Sequence, residues 1–235
     1  MQQESSEKIY INTGNEDVIK LVTGRNLTIL DVGCGSGVLA KKLSSMGHQI
    51  DGITISQNEY DVAKHFLVKT YIHNLENGLP AEMIYSQYDY VICSHVLEHI
   101  VYPDKLLKDI YRVLKPGGFL IVALPNIMHY KSRLKLMIGD FVYEDAGIWD
   151  NTHVKWYTFN SAKKLLNDYG FFIELATVTG ELPLNSLFSK ILAPSIRIKF
   201  FALLIKISKG LFGYQILLAA TKGISQKDKP HNLIT

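Results

Sequence analysis

Two short stretches concentrate the side chains able to move a proton or hold an ion. "SHVLEHI" places His95, Glu98 and His99 just past an apolar run, at the i, i+3, i+4 spacing of one helical turn. Such a trio can hold a divalent metal, or it can serve as framework that ties a strand end to its neighbours. The framework reading is adopted, so no metal is expected. "GIWDNTHVKWYT" sets Asp150, His153 and Tyr157 among Trp149, Trp156 and Phe159. Aromatic faces with interleaved hydrogen-bonders suit a sugar or phenol ring, so Tyr157, Trp149 and Trp156 are expected to touch an acceptor. His153 is the first choice for a general base, oriented by Asp150, and His95 is the second. A buried His–Asp pair that only fixes the loop is the competing reading.

A third stretch, "ILDVGCGSGVLAKKL", packs Gly33, Gly35 and Gly37 between an apolar run and a helix-like run, with Asp31 just before them. A glycine-rich turn from strand to helix is a usual place for a nucleotide. The spacing is not the G-x-G-x-x-G of dinucleotide binders. An acid at the strand's end repels a pyrophosphate and suits a ligand carrying a cation, such as a sulfonium or an ammonium. That favours S-adenosylmethionine over NAD. A tight turn with no ligand is the alternative, at the entropic cost of three glycines.

Alternating elements must position these residues. Strands are expected at Leu27–Val32, Gln49–Thr54, Val68–Ile72, Tyr88–Ser94 and Phe119–Leu124. Helices are expected over Val38–Met46, Asn58–Phe66 and Asp104–Leu114, the last closed by Pro116-Gly117-Gly118. β-branched runs separated by helix-length amphipathic segments mean βαβ units and a parallel sheet. Beyond Pro125 the pattern predicts a helix over His129–Ile138, an irregular Gly139–Thr158, a helix Ser161–Tyr169 and strands Phe171–Val178 and Tyr214–Thr221. An insertion before the last strand would lie over the carboxyl edge of the sheet, where open α/β folds bind ligands.

The 235 residues suffice for one substantial core, and 47% apolar with 20% charged residues is a globular composition. A net charge of +3 gives no reason to expect a nucleic-acid partner. The two cysteines, Cys34 and Cys93, make no disulfide framework and fit a reducing compartment. "MQQESSEKIY" lacks the apolar core of a signal peptide, and no apolar run approaches the roughly 20 residues of a membrane span. The expectation is a cytoplasmic protein.

"LDVGCGSG", "YDYVICSHVLEHI" and "LKDIYRVLKPGGFLIVALPN" together resemble the class I S-adenosylmethionine-dependent methyltransferases, over residues 25–180. The resemblance implies a Rossmann-like, doubly wound, seven-stranded α/β sheet whose last strand is antiparallel. It implies that Asp31, Gly33, Gly35 and Gly37 surround the methionine and ribose of the cofactor, with Ser94 nearby. It also implies an acid at the end of the second strand for the ribose, where this chain has Thr54. "DGITIS" is similar there to the cyclopropane fatty-acid synthase branch, in which a polar residue one turn on shares the contact. Glu59 holds that place, with a solvated Glu on an exposed helix as the competing reading. Asn74 stands where an Asp commonly meets the adenine amino group, with Leu75 packing on the ring. At "SHVLEHI" the chain resembles ubiquinone-biosynthesis O-methyltransferases, whose Glu at the His95 position joins the Glu-His in holding a metal. The "GIWDNTHVK" pattern resembles a branch often found with surface-saccharide methylation.

Between Glu181 and Asp228 there is no acidic residue, while Lys190, Arg197, Lys199, Lys206, Lys209, Lys222 and Lys227 are basic. In "SIRIKFFALLIKISK", Lys199, Lys206 and Lys209 are expected on one helical stripe. The helix can be a packed lid, a dimer face, or a peripheral membrane contact through 195–209. The domain expected is 1–222, with a helical insertion at 184–211 and a flexible tail at 223–235. The expected reaction moves a methyl group from S-adenosylmethionine to a hydroxyl, or second to an amine, of a small molecule or saccharide. A carbon methyltransferase acting on lipid and a non-catalytic partner subunit are the alternatives.

Overall fold

The computed structural model of the chain describes residues 14–180, 183 and 190–222. The expected tail at 223–235 and residues 184–189 of the insertion lie outside the described residues. A seven-stranded sheet runs β1 (Thr28–Val32), β2 (Gln49–Thr54), β3 (Lys69–Ile72), β4 (Tyr88–Ser94), β5 (Leu114–Pro125), β6 (Phe171–Thr179) and β7 (Gln215–Lys222). The spatial order is β3-β2-β1-β4-β5-β7-β6. All pairings are parallel except those of β7, which lies antiparallel between β5 and β6.

Helices cover the sheet because side chains alternate faces along each strand. Ile29, Ile92, Ile121 and Leu217 point to one face and meet α1 (Glu16–Ile19) and α2 (Val38–Ser45). Leu30, Val91, Leu120 and Leu218 point to the other and meet α4 (Asp104–Val113) and α6 (Phe159–Asp168). Both sets are fully buried, so the strands are apolar on both faces, as a covered sheet requires. The remaining helices are α3 (Gln57–Ala63), α5 (Tyr130–Met137), α7 (Pro194–Ile207) and α8 (Lys209–Phe212).

Two expectations are corrected. Pro116-Gly117-Gly118 does not cap the helix but belongs to β5, which begins at Leu114 paired with Tyr88 across a register shift. Lys209 does not share a stripe with Lys199 and Lys206, because α7 ends at Ile207. Ser208 there accepts from the Leu211 amide and starts a separate turn.

The chain leaves β1 for β2 and β3 on one side and returns to β4 on the other, so a crevice opens between the carboxyl ends of β1 and β4. The insertion carrying α7 and α8 leaves β6 at Thr179 and rejoins at Gln215, which pairs with Thr179 and with Pro125. It therefore springs from that same edge.

Candidate active site

The glycine loop follows β1 and is tied down by the Cys34 amide, which donates to the Ile53 carbonyl of β2 at 2.8 Å. Gly35 adopts φ +52, and a Cβ there would stand 3.7 Å from Glu59 Oε1 with nothing else within 4 Å. Only a residue without a side chain keeps that concavity open. Asp31 is buried, its Oδ2 has no hydrogen-bond partner, and burial pushes its pKa up to about 7. A buried carboxyl lacking a partner beside an open glycine turn is suited to a cationic ligand group.

Glu59 is buried on α3 rather than solvated, and its Oε2 accepts from Thr54 Oγ1 at 2.6 Å. The Ser56 amide donates back to Thr54 Oγ1, so the β2 end and the α3 start form one cap. Asn74 lies past β3 and its Oδ1 accepts from the Glu76 amide at 3.0 Å, capping the short helix Leu75–Asn77. Leu75 is half-buried against the core. Ser94 Oγ, at the end of β4, accepts from Asn15 Nδ2 at 3.3 Å.

His95 has φ +58, an unusual conformation for a non-glycine residue, and it turns the ring away from a continuous helical face. Its Nε2 meets Gln215 Oε1 at 2.8 Å and its Nδ1 meets Glu98 Oε1 at 3.2 Å. Asn15 Nδ2 donates to that Gln215 oxygen at 2.7 Å, which fixes the amide's orientation. Acceptors on both nitrogens favour the protonated ring. Desolvation pulls its pKa down, but Glu98 and Gln215 outweigh that and the net shift is up. His95 is thus a poor base.

The i, i+3, i+4 metal set does not fit, because both nitrogens of His95 are committed and Leu97–His99 is a short 3-10 turn. A different trio gathers instead. One ligand atom each from Glu98, His99 and His153 lie within 4.8 Å of one another. The irregular loop reaches this place because the amides of Val154 and Lys155 both donate to the Glu98 carbonyl.

His153 is buried, edge-on to His99 at 4.8 Å between ring centroids. Its Nδ1 faces the Ile148 carbonyl at 3.1 Å. Asp150 is not its orienting partner: Asp150 Oδ1 accepts from the Thr152 amide at 2.8 Å and the Thr152 hydroxyl at 2.6 Å. Burial pulls the His153 pKa below the usual 6.5, against upward pulls from Glu98 and the Ile148 carbonyl. The result is a neutral imidazole with Nδ1–H on Ile148, which places the basic lone pair on Nε2.

Tyr157 is also corrected. It is buried in the core, its hydroxyl donates to the Leu97 carbonyl at 3.4 Å, and burial pushes its pKa up to about 12. It holds the loop rather than an acceptor. Trp149 is buried too, under Phe141 at 5.0 Å. The accessible aromatic surface comes from Phe141 and Tyr143, 5.7 Å apart between ring centroids, with half-buried Trp156 6.3 and 6.2 Å from them. Trp156 Nε1 is buried without a hydrogen-bond partner. The density of aromatics over 141–156 was the available signal.

Residues 13–175 match the methyltransferase domain family, which covers more than half of the chain. The chain belongs to that family. Among relatives of the chain is the ubiquinone biosynthesis O-methyltransferase of Coxiella burnetii. It is 27% identical over 161 residues, which are 67% of this chain and 62% of the relative. The corresponding enzyme of Proteus mirabilis is 30% identical over 122 residues, 47% of this chain and 46% of the relative. The chain thus spans about half to three fifths of the length of such relatives. A SAM-dependent methyltransferase from Archaeoglobus fulgidus superposes with a TM-score of 0.61 at 19% identity, over 88% of this chain and 90% of that one. One from Methanosarcina mazei gives 0.60 at 18%, over 90% and 100%. These two share the fold. Their named cofactor suits the open turn at Gly35 and the unpartnered carboxyl oxygen of Asp31.

Proposed function

We propose that this methyltransferase moves a methyl group from S-adenosylmethionine to a hydroxyl oxygen of a ring-bearing small molecule. A saccharide such as a surface-glycan precursor is the first class to test, and an amine acceptor is the second. The observation that carries the reading is His153, a neutral imidazole with its Nδ1 on a main-chain carbonyl beside an aromatic cluster at the carboxyl edge. The family supports methyl transfer, and the relatives' printed name, O-methyltransferase, supports a hydroxyl acceptor.

When bound, the cofactor supplies an electrophilic methyl on a sulfonium. Asp31 offers its ionised carboxylate to the positive end of that ligand. Thr54 and Glu59 take the ribose hydroxyls. Phe141, Tyr143 and the accessible part of Trp156 would lie against the faces of the acceptor ring. His153 Nε2 would take the hydroxyl proton as the oxygen–carbon bond forms and the methyl–sulfur bond breaks, leaving S-adenosylhomocysteine, and would then release the proton to water. Such help is worth about 10²–10⁴ in rate.

The test is turnover with methyl-labelled S-adenosylmethionine on panels of nucleotide sugars, catechols, amines and unsaturated phospholipids, with the product's methyl located by NMR. An oxygen-bound methyl is expected. A methyl on carbon of an unsaturated acyl chain overturns the reading in favour of lipid modification.

A further inference from the structure

Helix α7 is rich in apolar residues, yet not one of its residues is buried. A helix of that composition is ordinarily covered by something. Ile196, Phe200, Leu203 and Ile207 recur at i, i+4, i+7 and i+11, which puts them on one face. They are 51%, 42%, 53% and 71% exposed, a stripe about 16 Å long at 1.5 Å per residue. Lys199 and Lys206 line one flank of it, while Phe201, Leu204 and Ile205 are half-buried on the other side of the helix.

The ground beside the stripe is basic. The end of α7, α8 and the starts of α5 and α6 enclose a groove of about 800 Å³ lined by Arg133, Lys206 and Lys209, with Thr158 and Asn160 and no acidic side chain. Arg133 Nε donates to the Met128 carbonyl at 2.8 Å, and Lys209 Nζ donates to the Ala176 carbonyl at 2.6 Å, so both cations are fixed at the wall. Asn126 anchors the groove to the end of β5 by donating to the carbonyls of Gly210 and Gly213 at 2.9 and 2.7 Å. Residues 190–222 hold no Asp or Glu.

We propose that this face docks on an anionic lipid bilayer, with the α7 stripe in the interface and an acidic headgroup in the Arg133/Lys206/Lys209 groove. Lysines bordering an apolar stripe favour a bilayer over a protein partner. Lysine is depleted in protein interfaces, whereas its stem lies easily along acyl chains while the ammonium reaches the headgroups. No described helix is long and apolar enough to cross the membrane, so the contact is peripheral. Each basic side chain at such a surface is worth roughly fivefold in binding. The inference goes beyond the acceptor reading and is read without turnover.

The experiment is co-sedimentation of the full chain with vesicles of phosphatidylcholine alone and vesicles carrying phosphatidylglycerol. Binding to the anionic vesicles only, weakening with salt, is expected, with soluble glycerol phosphate failing to compete. Lys199→Glu/Lys206→Glu should lower partitioning by tenfold or more, and Phe200→Ser/Leu203→Ser should abolish it even at low salt. Both pairs sit on a face that contributes nothing buried, so melting curves should match the wild type. No binding to anionic vesicles, or equal binding to neutral ones, overturns the proposal. So does competition by glycerol phosphate, which would make the groove a soluble-phosphate site. A dimer in light scattering that Phe200→Ser/Leu203→Ser turns to monomer, with vesicles left unbound, assigns the stripe to a subunit contact instead.

Discussion

Thr54 Oγ1 donates to Glu59 Oε2 across 2.6 Å, and both side chains are buried at the edge that also carries the glycine loop. The pair joins the end of β2 to the start of α3. With its hydroxyl proton on Glu59, Thr54 leaves the other carboxylate oxygen aimed toward Gly35, 3.7 Å from where a Cβ would stand. Glu59→Ala should weaken S-adenosylhomocysteine binding by about 1–3 kcal/mol, the range for a lost hydrogen bond to a charged group. Calorimetry checks it. An unchanged dissociation constant would reduce the pair to a cap on α3.

Asp31 should make the ligand-free protein pH-sensitive. Its pKa is raised from 3.8 to about 7 by burial. A carboxyl raised on folding adds stability below its unfolded value and loses that contribution as pH rises through about 7. A cationic ligand reverses the loss, because it favours the ionised form. Melting temperature without ligand should therefore fall through that window, and the increment from S-adenosylmethionine should grow. Asp31→Asn should flatten both trends, which separates this carboxyl from the histidines.

Turnover should survive a chelator. The Glu98, His99 and His153 atoms that lie within 4.8 Å of one another form a plausible ligand set by distance. Yet Glu98 already faces Nδ1 of His95 at 3.2 Å, and the proposed mechanism uses Nε2 of His153 for the proton. Loss of turnover in chelator, restored by zinc or magnesium, would move the three residues to metal ligands.

The order of strands and helices was legible because β-branched runs and amphipathic runs have different periods, and the glycine loop was legible because few other turns need three glycines. The start of β5 was not, since Pro116-Gly117-Gly118 is a stop signal by composition and a strand here only through its pairing with β4. The partner of His153 was hidden for another reason. It is the carbonyl of Ile148, and every residue has a carbonyl, so no pattern of side chains announces it. Tyr157 was misplaced because a phenol reads the same whether its hydroxyl meets a ligand or the Leu97 carbonyl. Glu59 shows the converse: a charged residue at a helix start reads as a site residue or as a solvated one, and its burial against Thr54 excludes the solvated reading.

His153 is the base in the proposed mechanism, and its tie to Ile148 makes a clean separation of base from scaffold possible. An alcohol does not lose its proton unaided near neutrality, so transfer to a hydroxyl should need the imidazole. His153→Ala removes both the base and the Nδ1–H that Ile148 accepts, and should lower turnover by about 10²–10⁴. His153→Asn keeps a donor near Nδ1 and supplies no base, so it should melt closer to wild type yet turn over as slowly as the alanine variant. Cofactor affinity should stay within a factor of a few in both. Because burial lowers the His153 pKa, the acid limb of the rate profile should lie below the usual 6.5 and disappear in the variants. The same shift has a stability sign: a histidine depressed on folding favours the folded chain at higher pH, and that contribution is lost as pH falls through its folded value. If His153→Asn restores both melting temperature and turnover, the residue is a loop tie and the base lies elsewhere. If it restores only the melting temperature, the proton goes to His153.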